Sequence, residues 1–340
     1  MKFGFMAPRE SDFSDARDPY GRIYAMCQRA EELGFDFATF THHRFSPDRP
    51  YLSSPLVIMS AIAARTSKLK LVTTVFILPL YHPLDVAEAV AALDHVSGGR
   101  VIFGVGTGYR RYEADAVEVP FDRRVSRFTE SIDILRHAWV DERASFHGKH
   151  FNFDDVTVVP KPVQHPHPPI WVGALEQKPV ERAARLADGW IAPSLQRVDT
   201  LRGRADRYRA IAAEHGRAGV ICLERDAAVA PTREEARAGW LRRNLDMARH
   251  YRDRGASLPD FPEDIDAITF DDVGPGRAVA GTPDDCIAEL QRCREALGCE
   301  YLSLMNMGTG PSYGHAGSYD HEVKALEFFG REVLPAFRHD

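Results

Sequence analysis

The 340-residue chain has no CxxC pair, no block of basic residues and no apolar run long enough to cross a membrane. Each absence excludes something. Cys27, Cys222, Cys286, Cys293 and Cys299 lack the spacing of a zinc or disulfide framework, so buried or idle thiols are expected. HGKH at 147–150 and HPHPP at 165–169 have no carboxylate or cysteine at ligand spacing, and prolines keep the second pair off a helix face, so no metal is assigned. A formal net charge of −6 without basic clustering argues against a nucleic-acid partner. The opening MKFGFM is too short for a signal-peptide core, which points to the cytoplasm. GVGTGY follows a strand but does not open an apolar helix, so it is not a dinucleotide fingerprint.

What the chain does have is a repeated strand and helix. KFGFM reads as a strand, and residues near 19 to 33 as an amphipathic helix with Gly34 as its C-cap. FDFATF is a second strand and residues 54 to 66 a helix rich in small residues. KLKLVTTVFIL is apolar and β-branched without helical period, which suits a strand buried on both faces. Pro83 opens a helix whose apolar stripe runs to Val96, Gly98 and Gly99 close it, and RVIFGVG follows as the next strand. A helix over about 122 to 141, the strand PIWVG, the helix VERAARLAD and the short strand GWIAP continue the alternation. Residues 199 to 216 form a charged helix, VICLERDAAVA a strand, residues 232 to 252 a helix, and Thr282 caps another before EYLSLMN and a final helix.

Repeated β-α units of this length predict one domain over 1–340, an α/β TIM (β/α)8 barrel with insertions, with an open doubly wound sheet as the structural alternative. Two segments break the rhythm. Residues 143–168 read as a polar hairpin inserted before PIWVG, and the Asp-, Gly- and Pro-rich residues 253–280 as an irregular insertion of the kind that serves as a lid or binding loop.

Five segments in order, KFGFM, AEELGFDFATFTHHRF, LPLYHPLDVAEAVAALDHVSGGRVIFGVGTGY, PIWVG with RAARLADGW, and GTPDDCI, resemble the bacterial luciferase-like, flavin-dependent monooxygenase superfamily. The resemblance runs from Lys2 to about Phe337. It implies a barrel holding reduced flavin or deazaflavin at its C-terminal mouth, and a homodimer packed through helices 54 to 66 and 83 to 97.

The same resemblance makes His42 the active-site histidine, able to move protons near neutral pH, with His43 orienting the loop. Thr74 and Val75 fall where many relatives carry a non-prolyl cis peptide behind the flavin. Gly106, Thr107 and Gly108 offer close backbone approach and amide N–H groups, although Thr107 stands where the pattern can place an arginine. Relatives often hold the cofactor phosphate at the helix start after PIWVG. Here that stretch is GALEQKP, so Ala174 and Leu175 can give only backbone N–H groups, and Arg127 or Lys178 has to supply positive charge. Asp94 and His95 read as helix-end structure, Trp171 and Trp190 as barrel core.

The activity implied is FMNH2- and O2-dependent monooxygenation of a small organic substrate, with the reduced flavin delivered by a separate reductase. The alternatives are an F420-dependent hydride-transfer oxidoreductase and a flavin-binding protein without catalysis.

Overall fold

Eight parallel strands close on themselves: β1 (Lys2–Met6), β2 (Phe37–Phe40), β3 (Lys70–Thr73), β4 (Val101–Gly106), β5 (Ile170–Gly173), β6 (Gly189–Ala192), β7 (Val220–Val229) and β8 (Tyr301–Met305). In this computed structural model, residues 1–8, 18–45, 54–252, 264, 267–309 and 318–338 are described. Neighbours in the barrel are neighbours in order, and β1 pairs with β8 through Lys2 opposite Tyr301 and Phe5 opposite Leu304. That last pairing leaves no sheet edge, so the fold is the closed barrel and not the open sheet.

A helix follows each strand: α1 (Pro19–Leu33), α2 (Pro55–Ala63), α3 (Pro83–Ser97), α4 (Arg124–Val140), α5 (Gln177–Leu186), α6 (Val198–Glu214), α7 (Pro283–Leu297) and α8 (Ser318–Glu332). Their ends follow local chemistry. Gly34 and Gly98 take left-handed φ values of 87° and 64° as C-caps, where a side chain would be strained. Thr282 and Asp285 form a reciprocal capping box at the start of α7. At the end of α3 the buried Asp94 carboxylate accepts from Gln164 N and Nε2, while Arg100 donates to the carbonyls of Ala63, Thr66 and Leu69. Asp94 is therefore a structural group, as its place in the sequence suggests.

Inside the barrel the N-terminal half is plugged. Phe37, Val72, Ile102, Trp171, Ile191 and Cys222 pack together, and Tyr301 meets Phe37 and Trp171 edge-on. Trp190, on the outer face, is fully buried against Tyr208 of α6. All five cysteines are buried as free thiols. With the base filled, space remains at the C-terminal ends of the strands.

Three additions surround that end. Phe76–Ile77 pairs with Val105 and Gly106 beyond β3, and a 3-10 turn, Leu78–Leu80, leads into α3. Residues 143–168 contain the expected hairpin, Ala144–His147 antiparallel to Asn152–Val156. The 253–280 segment departs from its reading as irregular throughout. Residues 253–263 and 265–266 lie outside the described residues, but Phe270–Val273 is a helical turn, and Val279–Gly281 is a strand that pairs with Ala227–Val229 of β7. That ordered part is fixed by burial: Ile268, Val273 and Ala278 pack with Trp240 of the Arg233–Arg252 helix. The run of Asp, Gly and Pro hid a strand only three residues long.

Candidate active site

Strand ends β1, β3, β4, β5, β7 and β8 and the loop after β2 converge on a cavity of about 560 Å³ at the C-terminal mouth of the barrel. Of the residues singled out in the sequence, His42, His43, Thr74, Val75, Gly106, Thr107, Gly108, Ala174 and Leu175 line it.

His42 is fully enclosed by its neighbours, with 2% of its surface exposed. Its ring stacks on Phe76 at 4.8 Å between centroids. The backbone N–H of Ile77 donates to Nδ1 at 3.2 Å, and Nε2 lies 3.1 Å from the Tyr81 hydroxyl. A backbone amide can only donate, so Nδ1 accepts and the proton of the neutral ring sits on Nε2, shared with Tyr81. His43 also lines the cavity. Its Nδ1 is 3.1 Å from Glu113 Oε1, which also accepts from the backbone N–H of Arg44 at 2.7 Å. The buried Glu113 thus pins the loop that presents both histidines.

The Thr74–Val75 peptide is cis. Val75 projects between two strand ends: a Cβ on Gly106 would lie 2.5 Å from Val75 Cγ2, and one on Gly173 would lie 2.7 Å from Val75 Cγ1. Glycine at 106 and 173 is therefore a steric requirement of this wall. Trp190 Nε1 donates to the carbonyl of Ala174 at 2.9 Å, which anchors the β5 lip.

Two expectations about charge are corrected. Arg127 is not on the cavity: its guanidinium lies over the Phe151 ring at 4.7 Å and Nε donates to the Pro79 carbonyl at 3.3 Å, so it braces the hairpin against the turn before α3. Lys178 is exposed on the first turn of α5 and does not line the cavity either. The cation beside the β5 loop is Arg204 of α6, which donates to the Leu175 carbonyl and Gln196 Oε1, both at 2.5 Å, and pairs with Glu176 at 3.2 Å. Nothing near PIWVG in sequence signals it.

The sequence reading also missed the wall formed by β7 and its neighbours. Glu224 and Asp226, two apart on one strand, both line the cavity, and Arg225 between them points outward to the Pro193 carbonyl. Burial first, and Asp226 second, push the Glu224 carboxyl up to about 8, against the opposing pull of the Thr74 hydroxyl and Arg225. Asp226 Oδ1 accepts from Asn306 Nδ2 at 2.7 Å, and Asn306 holds a left-handed φ of 53° at the end of β8. The Arg233–Arg252 helix closes this side. Arg243 donates to the carbonyls of Ala227 and Gly308 and pairs with Glu322 at 3.6 Å.

Five cavity-lining residues carry a buried polar atom with no well-formed hydrogen bond among the described residues: Thr41 Oγ1, Thr74 Oγ1, Arg243 Nε, Asn244 Oδ1 and Asn306 Oδ1. Buried polar atoms are rarely left so, and several around one cavity mark the wall of a polar ligand. An isoalloxazine, with donors and acceptors along one edge and an apolar face for Val75, fits that wall. Among the described residues no three His, Cys, Asp or Glu side chains gather as a metal set.

Comparison with known proteins agrees with this architecture. The FMNH(2)-dependent dimethylsulfone monooxygenase of Pseudomonas putida is 29% identical, over 92% of this chain and 86% of that protein. The F420-dependent glucose-6-phosphate dehydrogenase of Kineococcus radiotolerans is 34% identical over 58% of each chain. The crystal structure of monooxygenase RslO1 from Streptomyces bottropensis superposes with a TM-score of 0.81 at 26% identity, covering 99% of this chain and 100% of that one. The family model for luciferase-like monooxygenases matches residues 1–300, and with its closed barrel this chain belongs to that family.

Proposed function

We propose that this protein is an FMNH2-dependent monooxygenase of a small organic substrate, with the reduced flavin supplied by a separate reductase. The observation that carries the reading is the set of buried polar atoms without well-formed hydrogen bonds and the Val75 wedge around the mouth cavity, on a barrel whose Pseudomonas putida relative is named for the same cofactor. Bound reduced flavin supplies two electrons and the activation of O2.

The chain's own residues do the rest. Val75, held between Gly106 and Gly173, backs the ring, and the backbone of Gly106 to Gly108 and of Ala174 and Leu175 lines its surroundings. Arg204 steadies the β5 loop at the phosphate end. His42 holds a proton on Nε2 and passes it through the Tyr81 hydroxyl, which lies within hydrogen-bond reach. Phe76 and Ile77 seal His42 from water on the other side.

A second reading, F420-dependent hydride transfer, is favoured by the similarity to the Kineococcus radiotolerans dehydrogenase. Anaerobic titration with reduced FMN and with reduced F420, followed by admission of air, separates the two. Tight FMNH2 binding with O2 consumption dependent on a substrate screen, headed by dimethyl sulfone, supports the first; preference for F420 with no O2 uptake overturns it.

A further inference from the structure

The substrate end of the cavity carries an unbalanced charge. Glu224 and Asp226 face it from β7, and among the described residues neither forms an ion pair. The cations near it are held by other groups, although Arg243 also lines the cavity and its Nε has no well-formed hydrogen bond among the described residues. Arg243, in the opposite wall, holds Glu322 and two carbonyls. Arg225 leaves the strand on the outer face, fully buried behind the barrel. Arg204 is paired with Glu176, and Arg249 with Asp246, at 3.3 Å. Asn306 donates to Asp226 through its amide and so fixes the carboxylate without neutralising it.

Glu224 and Asp226 share one strand face in a partly closed site, and burial first and the neighbouring Asp226 second hold the proton on Glu224 toward neutral pH. The retained proton makes Glu224 a hydrogen-bond donor. An anion entering the cavity meets the Asp226 carboxylate, while the one guanidinium in the same lining, that of Arg243, is already balanced by Glu322. A neutral molecule with an acceptor oxygen meets a donor and a carboxylate that is already satisfied by Asn306.

From this geometry we propose that the Glu224 and Asp226 pair sets substrate class, admitting uncharged compounds that bear a hydrogen-bond-accepting oxygen and rejecting sulfonates, carboxylates and other anions. The proposal rests on the monooxygenase reading for the word substrate, but the charge filter itself belongs to the cofactor-free cavity and is tested there.

A single thiol placed in the wall reports it. Met305, opposite Asp226 on β8, lines the cavity, and the native cysteines are buried. The M305C protein is alkylated without cofactor by iodoacetamide, which is neutral, and by iodoacetate, an anion of nearly the same shape. The ratio of the two rates, divided by the same ratio for glutathione, cancels the thiolate fraction. One uncompensated charge at this range predicts that iodoacetate is disfavoured about tenfold. The E224Q/D226N double substitution in the same background brings the ratio back to about that of glutathione. A ratio equal to that of glutathione in M305C, or a low ratio that the double substitution leaves unchanged, overturns the proposal. T107C at the end of β4 gives the same reading from a second position if M305C does not fold or does not react. The donor half is read separately by 13C NMR of the carboxyls in cofactor-free protein. Glu224 is expected to remain protonated at neutral pH, and a carboxyl already ionised below about pH 6 overturns it.

Discussion

The imidazole of His42 and the hydroxyl of Tyr81 lie 3.1 Å apart, with the other ring nitrogen held by the backbone of Ile77. The ring can therefore exchange a proton with Tyr81 through Nε2. Replacing His42 with Ala is expected to lower turnover by about a hundredfold, the usual weight of a positioned proton carrier. Tyr81→Phe keeps the stacking on Phe76 but removes the hydroxyl, and turnover is expected to fall about tenfold with little change in flavin affinity. Steady-state rates and flavin titration of the two variants check this; wild-type turnover in H42A removes His42 from the chemistry.

The Val75 wedge makes a paired prediction. Gly106→Ala places a methyl group against Val75 Cγ2 and should weaken flavin binding. Val75→Ala in the same protein relieves the clash and should recover part of the loss. Flavin affinities of the two single variants and the double variant form the cycle, and strict additivity would show that the two residues do not meet in solution.

Arg127 and Arg204 are expected to behave oppositely. Arg127→Ala loosens the hairpin but leaves flavin affinity within about twofold of wild type, because its charge is spent on Phe151 and the Pro79 carbonyl. Arg204→Ala frees the Leu175 carbonyl and leaves Glu176 unpaired beside the β5 loop, and flavin binding should weaken about tenfold. Equal losses in the two variants would contradict the placement.

The raised Glu224 carboxyl gives a pH dependence of defined sign. Its ordinary value is 4.5 and its folded value about 8, so between those limits the unfolded chain releases the proton while the folded protein keeps it. Stability contributed by this group is full below the lower limit, falls as pH rises through the window, and changes no further above it. Asp226 adds to the shift, Arg225 and Thr74 oppose it, and Arg243 is occupied by Glu322. Urea unfolding of wild type and E224Q across this range should differ in slope, with E224Q flatter; identical slopes would mean that Glu224 titrates normally.

Much of this architecture was readable along the chain, because parallel strands buried on both faces and amphipathic helices impose their periods locally. Pro83, Gly34, Gly98 and Thr282 mark the helix ends where the structure has them. The glycines at 106 and 108 and the pair at 74 and 75 were legible through family resemblance. Arg127 was misread because a sequence gives a residue's charge but not the direction it takes from its helix. Arg204 was missed because it reaches the β5 loop from a helix beyond the next strand, 28 residues from Glu176. The acid pair did leave a signal. In VICLERDAAVA, period two puts Glu224 and Asp226 on the face of Cys222, which belongs to the barrel plug, so two acids stood where the interior of a barrel expects apolar side chains.

β7 is ten residues long and is held along its whole length: β6 pairs with its first four residues, β8 with Cys222 to Asp226, and Val279–Gly281 with its last three. Trp240 and Arg243 clamp its carbonyls from the added helix. A strand fastened this way gives the acid pair a fixed mounting, so exchanging one or both carboxyls alters the polarity of the chamber without shifting its walls. Redesign of this protein toward charged substrates therefore starts from two side chains on an unyielding frame.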